Sequence, residues 1–282
     1  HLNQLTFITF GPVEFWKRDV KMNRQTTFLK VTILQTNIVW EDAVANRKSI
    51  EKLMEGHEDT DLFVLPEMFS TGFSMAPMEI AEEEGGETLQ WMRRMAEMHQ
   101  CALAGSLSVK ESGMFYNRFY FVCPDGTIHR YDKRHLFTFG GEDKQYTSGG
   151  KRVIVSYGGF RILLQICYDL RFPVWSRCRN DYDVAIYVAN WPVSRREVWD
   201  TLLRARALEN QCYVVGVNRT GHDPQCSYNG GSVIINPYGK LIASCEDDKE
   251  ETATAVLARE PLDTFRKHFP VLGDGDDFNL SL

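Results

Sequence analysis

The sequence predicts an α/β fold, one large domain of mixed sheets covered by helices. From Phe28 onward, short aliphatic runs alternate with amphipathic stretches of helical period, and no linker, repeat or shift of composition interrupts them. Glycine-marked turns at Gly113, at Pro124-Asp125-Gly126 and at Gly158-Gly159 add hairpins, so the sheets cannot be purely parallel. At 43% hydrophobic and 25% charged residues the composition is that of an ordinary globular protein, and 282 residues suffice for a sizeable core.

Taken in order, residues 1–27 lack periodicity and are expected to form an N-terminal extension. They contain no basic segment followed by an apolar core, so no secretory leader is expected. Residues 29–36 read as the first strand, and Asp42 as the N-cap of a helix reaching Glu55. Residues 61–66 form a buried strand that runs straight into Glu67. The loop over 68–84, rich in Gly, Ser, Met and Phe, is long for a passive connection. Residues 88–100 predict a helix with Leu89, Met92, Met95 and Ala96 on one face and Met98 off it.

Residues 101–109 and 114–123 predict an antiparallel pair, followed by a short strand to Tyr131. Asp132-Lys133-Arg134-His135-Leu136-Phe137 then leads into a glycine-bearing loop containing Glu142. Residues 152–156 and 160–166 form a hairpin that stops at Cys167, and Pro173 suits the first position of a helix. Residues 183–189 are another buried strand, closed by Asn190-Trp191-Pro192. The helix predicted over 197–211 is expected to turn Val198, Leu202, Ala205 and Leu208 inward. Strands follow at 212–217, 231–236, 240–244 and 252–257, then a short helix over 261–267. The domain is expected to span 28–265, with 266–282 a tail packed on or beyond it. The acidic runs Glu82-Glu83-Glu84 and 246–251 predict solvated loops or turns.

The formal net charge of −6, with no strong basic cluster, argues against a nucleic-acid partner. No apolar run reaches the ~18–20 residues that span a bilayer, so no membrane partner is expected either. Seven cysteines, an odd number without Cys-x-x-Cys spacing, predict reduced thiols and a cytoplasmic setting rather than a zinc or redox site.

Chemistry concentrates at three strand ends. Acyl transfer by a thiol needs a nucleophile, a base for its proton, and a positive or hydrogen-bonding group for the developing oxyanion. Cys167, Glu67 and Lys133 each follow a strand and supply those three types. No Cys–His dyad presents itself, because His135 is the only nearby histidine and is expected to pack alongside.

The combination Leu65-Pro66-Glu67, Tyr131-Asp132-Lys133 with His135-Leu136-Phe137, and Cys167-Tyr168-Asp169-Leu170-Arg171-Phe172-Pro173 resembles the three signatures of the nitrilase, or carbon–nitrogen hydrolase, superfamily. The resemblance covers about residues 28 to 265. It implies an αββα four-layer sandwich, with Cys167 as nucleophile, Glu67 as general base, Lys133 as oxyanion stabiliser and Glu142 as a supporting carboxylate. No metal or organic cofactor is implied, and a homodimer or higher homo-oligomer is.

Cys167-Tyr168-Asp169 differs from the Cys-Trp-Glu of nitrile-cleaving members and looks like the amidase and carbamoylase side. Tyr187-Val-Ala-Asn190-Trp191-Pro192, Arg195-Arg196, Arg204-Ala-Arg206, Asn218-Arg219-Thr-Gly221 and Ile235-Asn236-Pro-Tyr-Gly239 are similar to the omega-amidase branch. That branch cleaves the terminal amide of 2-oxoglutaramate or 2-oxosuccinamate. Such substrates carry an anionic end, and Arg171 is the candidate cation for it, unless it pairs with Asp169 or another carboxylate to fix the turn. Tyr168 is expected to line the site. Trp191 either walls the pocket or packs as an edge aromatic on the 68–84 loop. Hydrolysis of N-carbamoyl amino acids or other small amides would use the same three residues, and a catalytically idle binding scaffold is the reading from another class.

Overall fold

The computed structural model describes residues 27–280. Two mixed sheets carry the fold. The first runs in the order Glu251–Ala258, Phe28–Gln35, Leu62–Val64, Ala102–Glu111, Met114–Val122 and Ile128–Asp132. The second runs Leu241–Ser244, Val233–Ile235, Tyr213–Asn218, Val184–Ala189, Phe160–Ile166 and Ile154–Tyr157. Each has three parallel strands at its centre and antiparallel strands outside them.

Period-two alternation explains the layering, since successive side chains leave a strand on opposite faces. Ile162, Leu164 and Ile166 join Val184, Ile186 and Val188 in a core shared with Val31, Ile33, Val64, Phe119 and Phe121 of the other sheet. The intervening Leu163, Ala185, Tyr187 and Ala189 pack instead with Trp199 and Leu203 of the helix Arg196–Asn210. On the far side of the first sheet, Leu34, Phe63 and Leu103 meet Ile50 and Met54 of Ala43–Met54 and Met92 and Met95 of Glu87–His99. Helix, sheet, sheet and helix therefore stack as a four-layer αββα sandwich.

The first helices follow the sequence closely. Asp42 caps Ala43–Met54, its Oδ1 accepting the Ala45 N–H at 2.9 Å. In Glu87–His99 the expected face is buried, and Met98 is 66% exposed. The helix Arg196–Asn210 corrects its expected phase. Trp199, Leu203, Arg206, Ala207 and Asn210 are buried, whereas Leu208 is exposed and Val198, Leu202 and Ala205 lie at the margin. Two polar residues belong to the inward face because they have partners there: Arg206 Nη2 donates to the Leu170 carbonyl, and Asn210 Oδ1 accepts the Cys178 N–H. Hydrophobicity alone put that face one residue out of register.

The acidic run at 82–84 is not a solvated loop. Glu82–Glu83 pairs with Ala102–Glu111, and Glu84 accepts Arg118 Nη1 at 2.6 Å and Tyr120 Oη at 2.5 Å. Arg118 is buried and needs counter-ions, which Glu84, Glu111 and Asp132 provide. The expected extension over 1–27 lies outside the described residues except for Thr27, whose carbonyl accepts the Arg259 N–H. The boundary drawn after residue 265 falls inside the helix Arg259–His268, where Arg266 pairs with buried Asp183. No helix among the described residues is long and apolar enough to cross a membrane.

Candidate active site

The carboxyl ends of parallel strands in both sheets point to one place. Glu67 follows Leu62–Val64, Cys167 follows Phe160–Ile166, and Asn190 follows Val184–Ala189. Lys133 arrives from the end of Ile128–Asp132, held by its N–H to the Asn117 carbonyl at 3.0 Å. Open α/β sheets collect ligands at such ends.

Glu67, Lys133 and Glu142 are fully buried and form one ionic cluster. Lys133 Nζ donates to Glu67 Oε1 at 2.9 Å and to Glu142 Oε2 at 2.9 Å. Asn117 Nδ2 bridges the same two carboxylates, at 2.8 Å to Glu67 and 3.1 Å to Glu142. Glu67 Oε2 accepts the Asn190 N–H at 2.9 Å, and Glu142 Oε2 accepts the Phe137 N–H at 2.6 Å. The Phe73 ring, from the long loop, lies 5.0 Å from Lys133 Nζ. Burial works against the Lys133 charge, but Glu142 and Glu67 outweigh it and hold the ammonium above its usual range. Burial pushes the Glu142 carboxyl up, with Lys133 opposing and Glu67 adding.

Cys167 takes a left-handed backbone, φ 45°, and so does Met68 next to Glu67, φ 43°. Neither is glycine, and such conformations cost energy that the surrounding structure must hold in place. At the cysteine the clamp is Asp169. Its Oδ2 accepts the Ile166 N–H at 3.0 Å and the Tyr131 hydroxyl at 2.7 Å, and its Oδ1 meets the His135 N–H and Nδ1. Tyr131 and His135 flank Lys133 in sequence, so one carboxylate ties the cysteine turn to the lysine strand. His135 stacks on Phe172 at 3.9 Å and stands apart from the ionic cluster, as its sequence position suggested.

Burial pushes the Cys167 thiol well above its ordinary range; the Glu67 and Glu142 charges add to this and Lys133 opposes it. The thiol is therefore expected to rest protonated and to need a base during attack. Absorbance near 240 nm, where thiolate absorbs, is expected to be the same for the protein and Cys167→Ala from about pH 6 to about pH 9. A thiolate signal at neutral pH would contradict this.

Cys167 opens into a cleft lined by Phe73, Met75, Phe137, Tyr168, Arg171 and Trp191, with Arg195, Asn190, Asp223 and Cys226 at its other walls. Tyr168 sits between Phe137 and Phe172, each ring centre 5.1 Å away. Arg171 is not paired with Asp169, whose oxygens are already engaged; its guanidinium lies over the Trp191 ring at 5.5 Å. Trp191 lines the cleft but is only 4% exposed, packed on Trp199 at 5.4 Å rather than standing as an edge aromatic. Sequence reasoning missed the contacts that Asn117 and Asn190 make with the Glu67 cluster. A short amide inside the aromatic strand Phe115-Tyr-Asn-Arg-Phe-Tyr-Phe was the available signal for Asn117.

The lysine strand also depends on a glycine. A Cβ on Gly149 would sit 2.2 Å from the Asp132 carbonyl oxygen, and the Gly149 N–H donates to the Lys133 carbonyl at 2.9 Å. Gly149→Ala is expected to cost about 1–3 kcal/mol of stability and lower kcat, because backbone next to Lys133 must move. Gly150→Ala, whose Cβ meets open space, is the control in thermal melts and assays and should change neither.

A sequence model described as carbon-nitrogen hydrolase matches residues 30–267. The chain belongs to the carbon–nitrogen hydrolase family. Among carbon–nitrogen hydrolases it is 47% identical to the omega-amidase YafV of Yersinia enterocolitica, over 89% of this chain and 98% of that one. It is 33% identical to the 2-oxoglutaramate amidase of Bacillus subtilis, over 86% of this chain and 96% of that one. A crystal structure of a CN-hydrolase superfamily protein from Xanthomonas campestris, with an arsenic adduct in its active site, superposes with TM-score 0.87. That protein is 39% identical, and the match covers 90% of this chain and 99% of the other.

Proposed function

We propose that this carbon–nitrogen hydrolase is an omega-amidase that releases ammonia from the terminal amide of 2-oxoglutaramate, 2-oxosuccinamate or a close analogue. The observation that carries the reading is a cleft lined by both Cys167 and Arg171, whose guanidinium has no carboxylate partner among the described residues, beside the buried Glu67–Lys133–Glu142 cluster. A thiol facing a cation fits an amide at one end of a short chain and a carboxylate at the other. The likeness to amidases of that specificity supports it.

In this mechanism Glu67 takes the Cys167 proton as the sulfur–carbon bond forms, and the carbonyl π electrons move onto oxygen. Lys133 and the Tyr168 N–H, the first beyond the nucleophile, stabilise that oxyanion. Collapse breaks the carbon–nitrogen bond, and Glu67 returns the proton to the departing ammonia. Water then attacks the thioester while Glu67 accepts its proton, and the acid leaves as the thiol re-forms. Glu142 holds Lys133 charged and aimed, and Asn117 fixes the two carboxylates around it. Tyr168, Arg171 and Trp191 shape the substrate's end of the cleft.

Ammonia release is compared for 2-oxoglutaramate and N-carbamoyl amino acids. Faster turnover of the first supports the reading, and exclusive turnover of the second replaces it with a carbamoylase. We assign the same protein to a reducing, cytoplasmic setting, in keeping with seven free cysteines. A homo-oligomer is part of the proposal, and the exposed Leu208, Tyr238 and Phe269 beside Phe265 offer it an apolar face that sedimentation can test.

A further inference from the structure

Two guanidinium groups line the cleft, and neither has a carboxylate partner among the described residues. Arg171 lies on the turn Cys167–Arg171 that carries the nucleophile. Arg195 ends the turn Val193–Arg195, and its guanidinium lies 5.4 Å over the Phe137 ring, itself 5.1 Å from Tyr168. Other arginines are engaged by acids: Arg118 by three carboxylates, and Arg161, Arg259 and Arg266 together by Asp183. The one acid lining the cleft, Asp223, is occupied by the Tyr228 hydroxyl and by the Gln225 and Cys226 N–H groups.

Trp191 positions both cations. Its ring supports the Arg171 guanidinium, and its Nε1–H donates to the Arg195 carbonyl at 2.8 Å. Two like charges directed into one cleft repel until an anion bridges them. Guanidinium is the group best suited to planar, bidentate acceptors.

We infer that Arg195 is a specificity-determining residue that closes, with Arg171, a two-guanidinium clamp on the planar 2-oxo-carboxylate end of the substrate. The inference rests on the amidase reading and deepens it. A 2-oxo acid presents two carboxylate oxygens and a keto oxygen, all acceptors, to two donor forks. A 2-amino acid puts an ammonium where the keto oxygen would be, donor against donor and charge against like charge. The clamp thus favours 2-oxo-acid amides over amides such as glutamine.

The test uses the reaction product as probe, so that binding is read apart from turnover. Protection of Cys167 from iodoacetamide by 2-oxoglutarate is titrated in wild type, Arg195→Gln, Arg195→Lys and Arg171→Gln, with thermal melts alongside. Turnover of 2-oxoglutaramate and of glutamine is measured on the same proteins. Arg195→Gln is expected to weaken 2-oxoglutarate protection by about tenfold or more and to shrink the preference for 2-oxoglutaramate over glutamine, with Arg195→Lys intermediate. Unaltered protection in a folded Arg195→Gln protein overturns the inference, whatever the turnover. Weakened protection in Arg195→Gln, with a wild type that cleaves no 2-oxo-acid amide, keeps the clamp and removes the amidase reading instead.

Discussion

Glu67→Gln is expected to lower kcat/KM by about 10²–10⁴-fold while the protein stays folded. The amide keeps the shape and one acceptor oxygen for Lys133 and Asn117, but it cannot take the Cys167 proton or pass one to the leaving ammonia. Burial and the Glu67 and Glu142 charges push the thiol up, so little preformed thiolate is expected to stand in for the base. The cost to stability is small for a stated reason. The substitution removes one of two buried carboxylates around a single lysine, which offsets the donor–donor conflict it creates opposite the Asn190 N–H. Iodoacetamide labelling of Cys167 should slow along with turnover. A Glu67→Gln protein within about tenfold of wild-type activity would remove Glu67 from the mechanism.

Lys133→Ala is expected to fail on two counts that can be separated. Loss of an oxyanion donor typically costs ~10²–10³ in rate. Loss of a buried ion-pair partner costs about 3–5 kcal/mol, because Glu67 and Glu142 then face each other without a cation. The Glu142 carboxyl already lies above its usual range, and removing the ammonium that opposes this shift drives it further up. Between the unfolded carboxyl pKa and the raised folded one, the folded state keeps a proton that the unfolded state has lost. Stability therefore falls as pH rises through that window. The Lys133→Ala protein should melt higher in mild acid than at neutral pH. Adding Glu142→Gln should restore much of the stability and little of the rate. A pH-independent melting temperature, or rescue of rate with stability, would count against the assigned role.

The three strand ends were legible because each is a local pattern: an aliphatic run, then Pro66-Glu67, Asp132-Lys133 or Cys167-Tyr168. Their convergence follows from topology, since two strands of that kind are central and parallel in separate sheets whose ends meet. What stayed hidden depends on cross-strand register and on partners distant in sequence. Asn117 reaches the site because Met114–Val122 pairs antiparallel with Ile128–Asp132, setting Arg118 opposite Asp132 and leaving the Asn117 carbonyl for the Lys133 N–H. Asp169 reads as part of the cysteine motif, yet its work is to hold Tyr131 and His135, 38 and 34 residues away. The phase of Arg196–Asn210 was misread for the same reason, because Arg206 and Asn210 have buried partners that no hydrophobic pattern reveals. Arg195 was visible as a residue, but its lack of a carboxylate partner among the described residues, on which its proposed role rests, appears only in the folded cleft.

The most direct test of the account is ammonia release from 2-oxoglutaramate by wild type and by Cys167→Ala, each checked for folding by its melt. Ammonia and 2-oxoglutarate are expected in equal amounts from the wild type, with no release above background from Cys167→Ala. Sustained turnover by a folded Cys167→Ala protein would contradict it.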